Sequence, residues 1–196
     1  MPKKKSVKKI AQQFLDRAEA IRLFLEGCQG NLSDEHESWV HEYAVIRLYR
    51  EFEHLILNAL VGAINNDTNT LSERSGVAFP KHLTDEVCEF LVIGDGYFDF
   101  KGRDGLIATL RKFVPHDHYL VTTAKKTRYK EPLERVCALR NYAAHESSTS
   151  KTRAKQATNQ HNLGSAGSWL KRQNRFENLV TELEAFANEI ATLAPY

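Results

Sequence analysis

The chain has no run of about 18 apolar residues, so no membrane-spanning helix is expected. Its cysteines, Cys28, Cys88 and Cys137, are odd in number and form no CxxC pair, which speaks against a disulfide framework or a zinc site. Cys88 and Cys137 fall inside apolar helical patterns, where cysteine serves as a small core residue. Glycines gather in Gly94-Asp95-Gly96-Tyr97-Phe98-Asp99-Phe100-Lys101-Gly102, but no Gly-Lys-Ser/Thr accompanies them. A turn with buried aromatics fits that segment better than a phosphate-cradling loop. Period-two alternation and internal repeats are missing too, so strands are not expected. The basic start, residues 1–9, lacks the apolar stretch of a secretory signal. It reads as a basic tail on a cytoplasmic protein.

The 196 residues are 42% hydrophobic and 27% charged, enough for one ordinary core and a single domain over 1–196. Net charge is +2, unevenly placed, since acids dominate the first hundred residues and bases the rest. From Ser147 to Phe176 there is no acid, while Lys151, Arg153, Lys155, Lys171, Arg172 and Arg175 all fall there. Such a stretch suits a polyanion, although a solvated basic face would carry the same residues.

Ile10, Phe14, Ala18, Ile21 and Leu25 recur at helical steps, predicting a helix over about 6–26. Asp34 and Glu37 open a second helix that could run about 30 residues, to the polar stop at 65–69. Short helices follow near 84–93 and 106–114. Pro132 favours a helix start before Leu133, Val136, Cys137 and Leu139, and that helix continues through His145. Residues 147–168 read as a mobile basic connector. Trp169, Phe176, Leu179, Val180, Leu183, Phe186 and Ile190 mark a closing helix. The expected class is an all-α bundle of about five to seven helices.

The most informative segment is Arg140-Asn141-Tyr142-Ala143-Ala144-His145. On a helix Asn141 and His145 lie about 40° apart, one turn from each other. Arg140 lies about 140° from His145, yet its long side chain can reach over the same surface. Imidazole can move protons near neutral pH, and a guanidinium holds phosphate through a planar fork. Ala143 and Ala144 permit close approach of another surface, or simply tight packing. The spacing alone is weak evidence, because Arg111 and His116 share it across Pro115. His116-Asp117-His118 lacks a nearby third ligand and reads as a polar loop.

Arg140, Asn141 and His145, in this order and spacing, resemble the R-(polar)-x3-H motif of the HEPN family, including the subgroup associated with RNA ligase and polynucleotide-processing systems. The coarse helix layout is similar as well. The resemblance implies an HEPN-like helical bundle working as a homodimer, with two motif helices forming one composite cleft. It implies a metal-independent endoribonuclease without cofactor, in which a ribose 2′-hydroxyl attacks the adjacent phosphate. His145 would transfer protons, Arg140 would bind the scissile phosphate, and Asn141 would orient one or the other. Arg47, Glu51 and His54 on the second helix resemble residues that support such a site. Lys151, Arg153, Lys155, Lys171 and Arg172 would contact RNA. A toxin or antiphage role follows, with an antitoxin or another defence protein as partner. Glu146-Ser147 stand where some family toxins carry a modified Tyr, which argues against that form of neutralisation here. Two other readings stay open: a non-catalytic HEPN-like dimer that binds RNA or nucleotide or scaffolds a partner, and a structural helical module.

Overall fold

Around the long helix Asp34–Asn66 (α2) the other helices are laid, in a computed structural model that describes residues 5–195. Val7–Cys28 (α1) precedes it, and Asn69–Ser75 (α3), Asp85–Ile93 (α4), Gly102–Phe113 (α5) and Tyr119–Lys125 (α6) follow. A 3-10 turn at Thr127–Tyr129 leads into Lys130–His145 (α7). Ser148–Thr158 (α8), Ala166–Leu170 (α9) and Arg175–Leu193 (α10) complete the chain. The fold is all-helical, with no strand among the described residues. Ten α-helices stand there rather than five to seven, the surplus being short ones such as α3, α6 and α9. No described helix is long and apolar enough to cross a membrane.

At 33 residues α2 is about 50 Å long. The Ser33 hydroxyl accepts from the His36 amide, and Asp34, Glu35 and Glu37 occupy the positive end of its dipole. From Ala44 to Asn65 it is buried on most sides, against α1, α4, α7, α9 and α10. Phe52 sits at the crossing, with Phe14 5.8 Å, Phe100 5.8 Å and Phe186 5.4 Å away between ring centres. The closing helix α10 meets this hub along the stripe Phe176, Leu179, Val180, Leu183, Phe186 and Ile190. Arg22 of α1 reaches Glu177 and Glu184 of α10 and ties the two together.

Residues 147–168 are no loose connector. Ser147 caps α8 by accepting from the Ser150 amide, and the buried Ser150, Ala154 and Thr158 lay one face of that helix inward. The short α9 lies so close on α2 that a Cβ at Gly167 would stand 1.8 Å from the Ser38 carbonyl oxygen. Only glycine fits there. Of the expected basic tail, residues 1–4 lie outside the described residues, while Val7 is buried and already helical.

Candidate functional site

Helix α7 carries Arg140, Asn141 and His145 and packs on α2 and α8. It ends at His145 because Glu146 turns left-handed (φ 46°, ψ 20°), and one residue later Ser147 opens α8. The imidazole is exposed and makes no hydrogen bond or ion pair among the described residues. It shares an open cleft of about 1190 Å³ with Asn141, Lys101, Lys130, Arg135 and Arg153. Asp99, Glu131 and Glu134 contribute carboxylates to the same cleft.

Arg140 sits on the α2 side of the motif helix. Its Nη1 donates to Asn141 Oδ1 at 2.7 Å, Nη2 lies 3.8 Å from Glu53 Oε1, and its Cζ stands 4.5 Å over the Tyr49 ring. Asn141 completes its own contacts with Cys137 Sγ at 3.6 Å. The Tyr49 hydroxyl donates to Asp99 Oδ1 at 3.3 Å. Three residues after Asp99, Gly102 takes φ 79°, and a Cβ there would meet the Glu134 carboxylate at 2.9 Å. That carboxylate accepts from the Arg103 amide at 2.7 Å, which fixes the 94–102 segment against α7. Phe100 in this segment is buried as expected, whereas Tyr97 is exposed.

Glu53 is the residue that sequence reasoning missed. Burial, opposed by Arg140 and assisted by the charge of Asp99, pushes its carboxyl up to about 7. Its Oε1 is buried without a hydrogen-bond partner. Burial also raises the Tyr49 hydroxyl well above the usual phenol range and lifts the Cys137 thiol. Between the ordinary carboxylate value and about 7 the folded chain therefore holds a proton on Glu53 that the unfolded chain has released. The resulting stability is present in full below the ordinary value and is lost as pH rises through 7. Wild type is expected to lose on the order of 2 kcal/mol across this window. Glu53→Gln should remove that slope in urea titrations at pH 4.5 and 7.5. Equal slopes in both proteins would contradict it.

Arg47, Glu51 and His54 are not brought to Arg140. Arg47 Nη2 pairs with Glu51 Oε1 at 2.7 Å, and Glu51 and His54 line a groove against Phe14 and Arg17 of α1. The reason is helical: Glu51 and Glu53, two residues apart, point about 200° from each other. The face towards α7 is set by Tyr49 and Glu53 instead. Of the basic set, Arg153 lines the cleft and Lys151 stands 5.9 Å over the Tyr142 ring. Lys155 lies half-buried on α8, and Arg172 is exposed beyond α9. Lys171 is not free to hold RNA, since it is bonded to Asp34 at 2.6 Å with 6% of its side chain exposed.

Arg111 donates to His116 Nδ1 at 2.5 Å, and neither residue lines the His145 cleft. His118 caps α6 by accepting from the Leu120 amide, and burial lowers its pKa to about 4. No three His, Cys, Asp or Glu side chains among the described residues are grouped to hold a metal ion. Comparison with protein-family models, curated proteins and solved structures found no match.

Proposed function

We propose that this chain is an HEPN-type, metal-independent endoribonuclease. The observation that carries the reading is the unengaged His145 imidazole in a cleft of mixed charge that four basic side chains line, one turn from Asn141 and on the same helix as a guanidinium. The ribose 2′-oxygen forms a bond to the adjacent phosphorus, and the bond from phosphorus to the 5′-oxygen breaks. One imidazole takes the 2′-hydroxyl proton while a second delivers a proton to the leaving 5′-oxygen. The products are a 2′,3′-cyclic phosphate and a free 5′-hydroxyl. Guanidinia stabilise the negative charge that gathers on the non-bridging phosphate oxygens. Reliance on the 2′-hydroxyl restricts the reaction to RNA.

The second imidazole comes from another copy of the chain. Ala144 and His145 are exposed at the end of α7, and small residues there suit a two-fold approach of motif helices. A cytoplasmic toxin or antiphage effector, held in check by a cognate protein, is the setting in which such an activity belongs.

The decisive experiment incubates the purified protein with RNA in excess EDTA and analyses the product ends. Cleavage to cyclic phosphates is expected, and intact RNA would overturn the reading. One observation favours a non-catalytic alternative. Arg140 is already occupied by Asn141, Glu53 and Tyr49 and does not line the cleft, so the motif guanidinium is not poised at a reacting phosphate. Tight RNA binding with no turnover would be the mark of that second reading.

A further inference from the structure

A second groove, of about 610 Å³, opens on the other side of the first turns of α7. Arg135 and its partner Glu131 border both this groove and the His145 cleft, so the two are joined across this ion pair. Trp169 of α9 lies in the second groove beneath two guanidinia. Arg175 Cζ stands 4.6 Å from the indole ring centre and Arg135 Cζ 5.7 Å. The Trp169 residue is only 9% exposed, and its Nε1 is buried with no hydrogen-bond partner.

The charges in the groove are unequally answered. Arg128 is tied to Glu189 and Tyr129 and is spent on the fold. Arg135 meets Glu131 at 3.3 Å, but that carboxylate is 79% exposed and well screened by water. Arg175 has no carboxylate partner among the described residues. It donates to the Trp169 carbonyl at 3.3 Å and to Gln173 Oε1 at 2.6 Å, both neutral acceptors. It is also the first residue of the 19-residue α10, whose capping residue Asn174 offers no side-chain hydrogen bond to the first turn. An unanswered guanidinium thus lies over an aromatic face at the start of a helix whose first turn carries Glu177, itself paired with Arg22. Glu182 stands at the rim as an opposing charge.

We propose that this groove is a second phosphate-binding subsite, which holds the RNA strand to one side of the scissile phosphate after it has crossed α7 over Arg135. The proposal rests on the nuclease reading above. Ten residues of helix separate Arg135 from His145, about 15 Å along the axis, so a dinucleotide in the cleft cannot reach Arg175 while a longer strand can. The indole, 9% exposed and covered by the two guanidinia, acts as the platform that holds Arg175 and Arg135 in place. Arg175 supplies charge and Trp169 Nε1 a donor in need of an acceptor.

The test compares wild type with Arg175→Ala and with Trp169→Phe, which keeps an aromatic ring and loses the N–H. Cleavage is measured on a dinucleotide and on a 12-nucleotide RNA of the same scissile step. Binding of the 12-mer is followed by anisotropy at several salt concentrations in a His145→Ala background. Arg175→Ala should lower kcat/KM on the 12-mer about tenfold more than on the dinucleotide. The slope of log binding constant against log salt should shrink by about 0.7, one phosphate contact on a single strand. Trp169→Phe should weaken 12-mer binding without changing that slope. Equal losses on both substrates, or an unchanged salt slope in Arg175→Ala, would overturn the subsite. The nuclease reading fails separately, if wild type cuts neither RNA while the 12-mer still binds through Arg175.

Discussion

His145→Ala is expected to lower RNA cleavage by about 10² to 10⁴-fold, the range that a positioned proton-transfer group contributes. Its fold should survive. The imidazole is exposed and unbonded at the last residue of α7, so stability should stay within about 0.5 kcal/mol of wild type. Paired measurement of kcat/KM on a defined RNA and of thermal unfolding checks both halves. Full cleavage by the variant would remove His145 from the mechanism. Arg140→Ala is a less clean probe, because it strips the guanidinium from beside the buried Glu53 carboxyl and from the Tyr49 ring. Activity and stability would then fall together, with no way to apportion the loss.

The largest effect on stability is expected from Phe52→Ala. The ring is fully buried and touches aromatic partners from α1, from α10 and from the 94–102 segment. Its removal opens a cavity where three elements meet, at a cost of about 3–5 kcal/mol. For a chain of this size the melting temperature should fall by roughly 10 °C. The damage should not stop at the core. Phe100 also lies 5.2 Å from the Tyr49 ring, on which Arg140 rests, so a shifted Phe100 would loosen the guanidinium as well. Denaturant titration reads the first effect. A loss under about 1 kcal/mol would show that the surrounding rings close the gap.

Much of the fold is legible in the sequence, and the parts that are not have physical reasons. The stripes of α1 and α10 are long, apolar and one-sided, so their period stands out. In α8 the inward positions are Ser150, Ala154 and Thr158, a regular four-residue step made of small and polar side chains that no hydrophobic pattern registers. Five residues of α9 are too few to show a period. Within the site, Asn141 and His145 could be placed together because they lie one turn apart on one helix, whereas Arg140 turns to α2 and does not line the cleft. Glu53 could not, since α2 is buried on nearly every side and its sequence does not say which face meets α7. Arg47, Glu51 and His54 do form a coherent face, but it is turned towards α1. Glu53 and His54 stand together between Phe52 and the Leu55-Ile56 pair, and nothing in the sequence tells which of the two turns to α7.

The junction of α7 and α8 has one further consequence. Between His145 and the Ser147 cap stands Glu146 alone, in a conformation that few residues other than glycine adopt readily. There is no slack in that connection. A rotation of α8 would thus be taken up by Glu146 alone or passed to the last residue of α7, so an outside contact on α8 would lie one residue from the imidazole. Control of this protein by a bound partner would need no contact with the cleft itself.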